Sequence, residues 1–243
     1  MKTTVFNHSE REVKLFSYSG RARVETDKFD RVALLAQNWK EWERKLWGLL
    51  RKGSQEAFAC LMMVRTGVRV GNEGSAKGYE TLIKGMEGQT LRTFGLTTLE
   101  PSHVTINGSV IVLDFLGKRA VHQHVVLDSP ELAKWGQRFM DEGNGTWLSV
   151  TDREVYRFVQ KNISSEITLK DFRTLCANAF AFQIYEDHFE DRPTLPTKSG
   201  VNAELNELLD AAAHLLGNTR GVIKRSYLTT YFVDWFKGQR FDK

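Results

Sequence analysis

The strongest constraint on the fold lies between His103 and Leu127, where the two-residue period of strands interrupts a chain that otherwise reads largely at helical spacing. His103-Val104-Thr105-Ile106 and Ser109-Val110-Ile111-Val112-Leu113-Asp114-Phe115 flank Asn107-Gly108, and Asn-Gly supplies the two positive-φ positions of a type I′ hairpin turn. A third strand from Val121 to Leu127 follows a turn at Leu116-Gly117-Lys118-Arg119. Lys118 is thereby predicted at the tip of a β-turn, projecting from a small antiparallel sheet.

On either side the period is 3.6. Phe29, Val32, Leu35, Trp39, Trp42, Leu46 and Leu49 recur at helical spacing and predict one long amphipathic helix over residues 29–51, stopped at Gly53. Ser54 is placed to cap a second helix carrying Phe58, Leu61 and Met62 toward Arg65 and Arg69. From Gly71 to Thr93 the periodicity fades, and the stretch reads as a loop with one helical turn. After the sheet, helices are predicted over residues 130–142, 151–162, 168–186 and 202–216, and in a last segment around 222–236. Pro193 and Pro196 mark the loop before the penultimate one. The first 25 or so residues hold only two strand-like stretches, Thr3-Thr4-Val5-Phe6 and Glu12-Val13-Lys14-Leu15-Phe16, too few to make a domain. The expected class is therefore α+β: a mainly helical body over residues 28–243 with a three-stranded antiparallel sheet, preceded by a strand-like segment over residues 1–27.

Composition narrows the function. The 34 Lys+Arg against 30 Asp+Glu give a net charge of +4, and the pI near 9.0 favours a polyanionic partner. Cys60 and Cys176 both lie in apolar helical patterns and form no CxxC pair, which reads as reduced core thiols in a reducing compartment. No apolar run is long enough to span a bilayer, and the charged amino terminus does not read as a secretory signal. A soluble, cytoplasmic protein is expected, with no membrane partner.

The residue that carries most chemical information is Tyr227, in the run Leu216-Gly217-Asn218-Thr219-Arg220-Gly221-Val222-Ile223-Lys224-Arg225-Ser226-Tyr227. A phenol beside Lys224 and Arg225 is placed to attack a phosphodiester. Its free pKa of about 10 means that attack near neutral pH needs cations to draw charge onto the phosphate. Arginines suit that need, because a planar guanidinium matches two phosphate oxygens and stays charged, so two of them stabilise a pentacoordinate phosphorus without a metal. The 5′ hydroxyl is a poor leaving group and needs a proton, which a lysine on a turn desolvated against DNA is able to give. Arg69, Arg173 and Lys118 are candidates for these roles.

Taken in order, Arg69-Val70-Gly71-Asn72-Glu73, Phe94-Gly95-Leu96-Thr97-Thr98-Leu99 with His103-Val104, Phe115-Leu116-Gly117-Lys118, Thr168-Leu169-Lys170-Asp171-Phe172-Arg173-Thr174, and Leu216-Gly217-Asn218-Thr219 with Lys224-Arg225-Ser226-Tyr227 resemble the ordered motifs of the type IB DNA topoisomerases of bacteria and poxviruses. The resemblance covers roughly residues 28–231 and implies a tyrosine recombinase/topoisomerase IB-like fold. It implies that Arg69 and Arg173 clamp the scissile phosphate, that Lys118 is the general acid, and that Tyr227 forms a 3′-phosphotyrosyl bond. Asn218 falls where nuclear and poxviral members carry histidine and bacterial members asparagine; an amide donates a hydrogen bond to a non-bridging oxygen but brings no charge. DNA contacts are implied at Thr98, His103, Lys170, Lys224 and Arg225. The implied activity relaxes positive and negative supercoils without ATP or metal, and no P-loop or acidic cluster for Mg²⁺ is evident. The implied partner is double-stranded DNA, engaged by a monomer without a small-molecule cofactor.

Two departures from the family stand out. The stretch from Glu73 to Phe94 is longer than the compact connection expected there, and the β-rich amino-terminal domain that closes the family's clamp is expected to be absent or reduced to the first strands. A partner chain is the candidate to complete such a clamp. Two other readings remain. A tyrosine recombinase shares the Arg, Lys, Arg and Tyr chemistry, but typically carries histidine three residues before its second arginine, where Lys170 stands here. A non-catalytic DNA-binding module of the same fold is the other. Each residue also has a plainer role: Arg69 pairing with Glu73, Arg173 with Asp171, Asn218 as a helix N-cap, Lys118 as a solvated turn residue and Tyr227 as an interfacial tyrosine. His122 and His124 share one strand face, but no carboxylate or cysteine spacing completes a metal site with them.

Overall fold

The computed structural model describes residues 4–6, 26–80, 88, 90–143 and 145–242. The chain divides into two compact units, one of Met1–Glu12 with Asn38–Lys170 and another of Val13–Gln37 with Asp171–Lys243.

In the first unit, helix α2 (Trp39–Leu50) packs on α3 (Gln55–Thr66), which is buried along nearly its whole length from Ala57 to Val64. Ser54 caps α3 as predicted, accepting from the Ala57 N–H at 3.1 Å, and Gly67 ends it in left-handed backbone at φ 66°. The long helix predicted over residues 29–51 is instead two, because α1 (Thr26–Gln37) stops one residue before α2 begins. Asn38 makes the break with φ −99° and ψ 3°, and its carbonyl accepts from the Glu41 and Trp42 N–H groups. A one-residue interruption hardly shifts the phase of the apolar residues, so spacing alone does not reveal it.

The sheet has the order β1-β6-β5-β4, built from β1 (Thr4–Phe6), β4 (Val104–Asn107), β5 (Val110–Gly117) and β6 (Val121–Asp128). β4, β5 and β6 form the predicted antiparallel three, and β1 joins the far edge in parallel with β6. The other strand-like stretch, Glu12–Phe16, lies outside the described residues. The first hairpin differs from the type I′ prediction. Asn107 pairs with Val110, so the two loop residues are Gly108 and Ser109, and of these only Gly108 has positive φ, at 60°. That is the form with glycine first, and it moves the turn one residue along the chain. Ile111, Leu113 and Phe115 point to the core while Val112, Asp114 and Leu116 alternate to the other face.

The described residues of 71–93 hold a short helix, α4 (Glu73–Lys77), and a two-residue ladder of β2 (Tyr79–Glu80) with β3 (Thr90–Leu91). Against the sheet lies α5 (Pro130–Glu142), and α6 (Asp152–Asn162), opened by a Thr151/Glu154 capping box, packs on α3. Phe58, Phe139 and Trp147 meet edge to face, and the Trp147 indole donates to the Gly136 carbonyl at 2.9 Å.

The second unit contains α1, α7 (Leu169–His188) from Asp171 onward, α8 (Lys198–Leu215), α9 (Arg220–Ser226) and α10 (Thr230–Arg240). Its core is aromatic, with Phe182, Tyr185 and Phe189 of α7 and its end packing on Phe232, Trp235 and Phe236 of α10. Arg240 is only 1% exposed and ties α10 to the preceding loop, donating to Glu204 at 2.7 Å and to the carbonyls of Phe189, Arg192 and Pro193. The last predicted helix around 222–236 is also two, broken across Tyr227, Leu228 and Thr229. Thr229 causes the break by capping α10, its hydroxyl accepting from the Phe232 N–H at 3.1 Å.

Candidate active site

Each unit gathers a separate set of the predicted residues. In the second, Tyr227 sits at the carboxyl end of α9 with non-helical backbone, φ −128° and ψ −44°, and is 5% exposed. Arg173, one turn into α7 and 3% exposed, donates from Nη1 to the Tyr227 hydroxyl at 2.9 Å, and its guanidinium lies 5.2 Å from the ring centre. Its Nη2 donates to the Leu216 carbonyl. Asn218 donates to that same carbonyl at 2.9 Å. One backbone oxygen therefore orients both the arginine and the amide. The N-cap role weighed for Asn218 belongs to its neighbour Thr219, whose hydroxyl accepts from the Val222 N–H. Asp171, 1% exposed, accepts from Arg31 of α1 at 3.0 Å.

A guanidinium donating to a phenol oxygen keeps a fixed positive charge beside whatever the oxygen attacks. Burial strengthens the effect by keeping water out. Lys224 and Arg225 are exposed in the last turn of α9, with Arg225 donating to the Gly221 carbonyl at 3.2 Å.

Asn178 is a residue the sequence reading missed. It lies on α7 five positions after Arg173 and is 8% exposed. Its amide nitrogen donates to the carbonyls of Thr174 and Tyr227, both at 2.8 Å, and its oxygen accepts from the N–H and hydroxyl of Thr229 at 3.1 and 3.2 Å. One side chain thus holds both ends of the break that carries Tyr227. The available signal was a polar residue inside the apolar run Leu175–Ala181 of a buried helix, which must find hydrogen bonds somewhere.

In the first unit, the Arg69 and Phe94–Thr98 motifs are one construction. Leu96 N–H donates to the Arg69 carbonyl at 2.9 Å and Thr97 N–H to the Val70 carbonyl at 2.8 Å. Gly71 and Gly95 touch here: a Cβ on Gly95 would lie 2.5 Å from the Gly71 nitrogen and 2.6 Å from the Arg69 oxygen. Arg69 itself is half-buried. Thr98 is 6% exposed, and its hydroxyl both accepts from the Gly95 N–H and donates to the Gly95 carbonyl at 3.0 Å. Glu73, weighed as a partner for Arg69, pairs with Lys77.

The same loop reaches the lysine turn, because Phe94 N–H donates to the Leu116 carbonyl at 2.9 Å. His103 stacks on Phe94 with ring centres 4.3 Å apart, and its Nδ1 accepts from the Glu100 N–H at 3.0 Å. That bond fixes the neutral tautomer with the proton on Nε2. Burial lowers the His103 pKa from its ordinary value, opposed by Glu100 and reinforced by Arg92. Lys118 is exposed in a tight turn over Lys118–Ala120, and Lys170 is exposed at the start of α7.

Asp114 was not anticipated as the partner of the two strand histidines. His122 Nε2 meets one carboxylate oxygen at 2.7 Å and His124 Nδ1 the other at 2.8 Å. The carboxylate comes from across the β5–β6 pairing rather than from nearby sequence. Among the described residues no group of His, Cys, Asp and Glu is arranged to hold a metal ion, and no helix is long and apolar enough to cross a membrane.

A family profile described as the eukaryotic DNA topoisomerase I catalytic core matches residues 19–231. The chain is 26% identical over 160 residues to DNA topoisomerase 1B of Acanthamoeba polyphaga mimivirus, covering 60% of this chain and 47% of that protein. It is 27% identical over 154 residues to DNA topoisomerase I of monkeypox virus and, equally, to DNA topoisomerase 1B of vaccinia virus strain Copenhagen, covering 61% of this chain and 47% of each. The chain thus matches about half the length of these relatives.

Proposed function

This chain belongs to the family of the eukaryotic DNA topoisomerase I catalytic core, and from that premise we propose that it relaxes supercoiled duplex DNA by transient single-strand cleavage. On this reading the Tyr227 oxygen attacks the scissile phosphorus, an O–P bond to tyrosine forms, and the bond to the 5′ oxygen breaks. The phenol loses its proton to solvent, and Lys118 gives one to the departing 5′ oxygen. Arg69 and Arg173 neutralise the charge on the phosphate, and Asn218 donates to a non-bridging oxygen. Religation reverses each step. Because the phosphotyrosine bond conserves the energy of the phosphodiester, neither ATP nor a metal takes part.

The observation that best supports this reading is the buried Arg173 Nη1 donation to the Tyr227 hydroxyl at 2.9 Å. A guanidinium fixed beside the phenol oxygen stands where charge develops on a phosphate under attack by that oxygen. The remaining parts of the proposal are a catalytic domain over residues 28–243 preceded by residues 1–27, and action on double-stranded DNA as a monomer, with a partner chain as the candidate to close a clamp. DNA contacts are proposed for Lys170, Lys224, Arg225 and His103. Thr98 is proposed to shape the loop at Gly95, where its hydroxyl is spent.

The test is incubation of the purified chain with negatively supercoiled plasmid in EDTA without ATP, beside Tyr227→Phe. Relaxation together with a denaturation-resistant protein–DNA adduct, both lost in the variant, is the expected result. DNA binding without adduct in the wild type would leave a non-catalytic module or a recombinase requiring paired sites.

A further inference from the structure

The turn that presents Lys118 is held against its own preference. Arg119 and Ala120 have φ of 64° and 57°, the only described non-glycine residues in left-handed backbone. Such a turn persists only where its surroundings over-determine it. At its base the strand register pairs Gly117 with Val121, Leu116 with His122 and Asp114 with His124. Asp114 therefore bonds His124 directly across the ladder and His122 diagonally, toward the turn, at 2.8 and 2.7 Å. An ionised carboxylate only accepts, so His122 carries its proton on Nε2 and His124 on Nδ1.

We propose that Asp114, gripped by His122 and His124, is a positioning residue that fixes the β5–β6 ladder under the strained turn and so sets where the Lys118 ammonium points. The inference rests on the reading of Lys118 as the acid that protonates the 5′ oxygen. Three facts carry it. The clamp spans both strands that feed the turn, and its members alternate on one face of the sheet, opposite the buried Ile111, Leu113 and Phe115. It lies next to the only described left-handed backbone among non-glycine residues. The carboxyl of Asp114 is also held below its usual range, by the His124 bond first and against some desolvation, so the acceptor stays ionised at neutral pH. The other charged groups nearby are Lys118 and Arg119 on the turn itself, and Glu100, His103 and Arg92 of the adjoining loop.

A change of leaving group separates positioning of the acid from a general loss of fold or of DNA affinity. The full chain is given a duplex with one scissile phosphodiester, and separately the same duplex with sulfur replacing the bridging 5′ oxygen, whose thiolate departs without a proton. In single-turnover cleavage, Asp114→Asn is expected to be about tenfold slower on the oxygen substrate, as for a displaced catalytic group, and to match wild type on sulfur. The double variant His122→Ala/His124→Ala should show the same selective loss. Lys118→Ala should show it more strongly, about 10²- to 10⁴-fold. Equal slowing of Asp114→Asn on both substrates, or no slowing on either, would overturn the clamp. If sulfur fails to rescue Lys118→Ala, the acid assignment falls and the clamp with it. If wild type cleaves neither substrate, the strand-cleaving activity itself is refuted.

Discussion

The nucleophile and the lysine turn are secured by opposite means. Tyr227 lies in a helix break in the second unit, 5% exposed, with its oxygen held by a buried arginine and its carbonyl by a buried asparagine. Lys118 lies on the surface of the first unit, on a turn with two left-handed residues, above side-chain bonds whose members are 23% to 49% exposed. Burial makes the first arrangement rigid and insensitive to solvent. The second is open to water, salt and protons, and exposed pairs of this kind hold geometry at a cost of only about 0–1 kcal/mol to break. The two sides should therefore fail differently when the residues that hold each group in place are removed: the tyrosine side by losing fold, the lysine side by losing rate.

The largest effect falls on the tyrosine side. Tyr227→Phe removes the attacking oxygen and should abolish the covalent adduct at unchanged DNA affinity, measured by gel shift and denaturing gel. Arg173→Lys keeps the charge but not the fork that reaches both the phenol and the Leu216 carbonyl, so cleavage should fall about 10²- to 10³-fold. A variant retaining near wild-type cleavage would show that the pairing to Tyr227 is structural.

Asn178 sharpens the comparison because its hydrogen bonds go to the carbonyls of Thr174 and Tyr227 and to Thr229 rather than to a catalytic side chain. Asn178→Leu leaves the Tyr227 carbonyl and the Thr229 N–H without their side-chain partner inside the protein, at a cost of about 3 kcal/mol. Its melting temperature should drop by several degrees and cleavage should drop on both oxygen and sulfur substrates. That pattern is the reverse of the one expected for Asp114→Asn. Equal melting temperatures for Asn178→Leu and wild type would contradict the view that buried hydrogen bonds secure the nucleophile.

What the sequence made legible follows from the range of each signal. Helix and strand identities came from periodicity, and pairwise chemistry came from ordered motifs. Both helix breaks escaped, at Asn38 and at Tyr227–Thr229, because the apolar spacing runs on across a short interruption and only a capping bond reveals it. The Gly108–Ser109 loop was missed by one residue because Asn-Gly names a turn without fixing its register. Asp114 could be joined to His122 and His124 only after the β5–β6 register was known. Arg173 and Tyr227 were named from the chain, but the Leu216 carbonyl that orients Arg173 and Asn218 is a backbone atom, which no side-chain pattern encodes.

A smaller effect tests the loop between Arg69 and Lys118. Gly95→Ala would drive a methyl group into the Gly71 nitrogen and the Arg69 carbonyl, both backbone atoms with little freedom to give. Destabilisation of about 2 kcal/mol is expected from such overpacking, together with slower cleavage, since Arg69 and the Leu116 carbonyl both bond this loop. An unchanged melting temperature would mean that the two glycines separate freely.

The smallest expected effect is also the one that isolates solvent exposure. His103 is neutral in the fold because burial lowers its pKa, so between that lowered value and the ordinary one near 6.5 the unfolded chain binds more protons. Stability should therefore fall as pH drops through 6.5 and level off below the folded pKa. Asp114 acts in a different window. Its folded pKa is depressed, so its contribution is present above the ordinary carboxylate range near 4 and is lost as pH falls through the lower folded value. Melting curves of wild type, His103→Phe and Asp114→Asn from pH 8 to pH 3 resolve the two: the His103 variant should lose the dependence near pH 6, and the Asp114 variant the one below 4. Neither change should alter the pH response of an Asn178 variant relative to wild type, because that side chain has no proton to exchange. If the Asn178 and Asp114 variants instead shifted the same pH window together, the nucleophile and the lysine turn would be coupled, and the contrast between a buried and an exposed way of holding catalytic groups would fail.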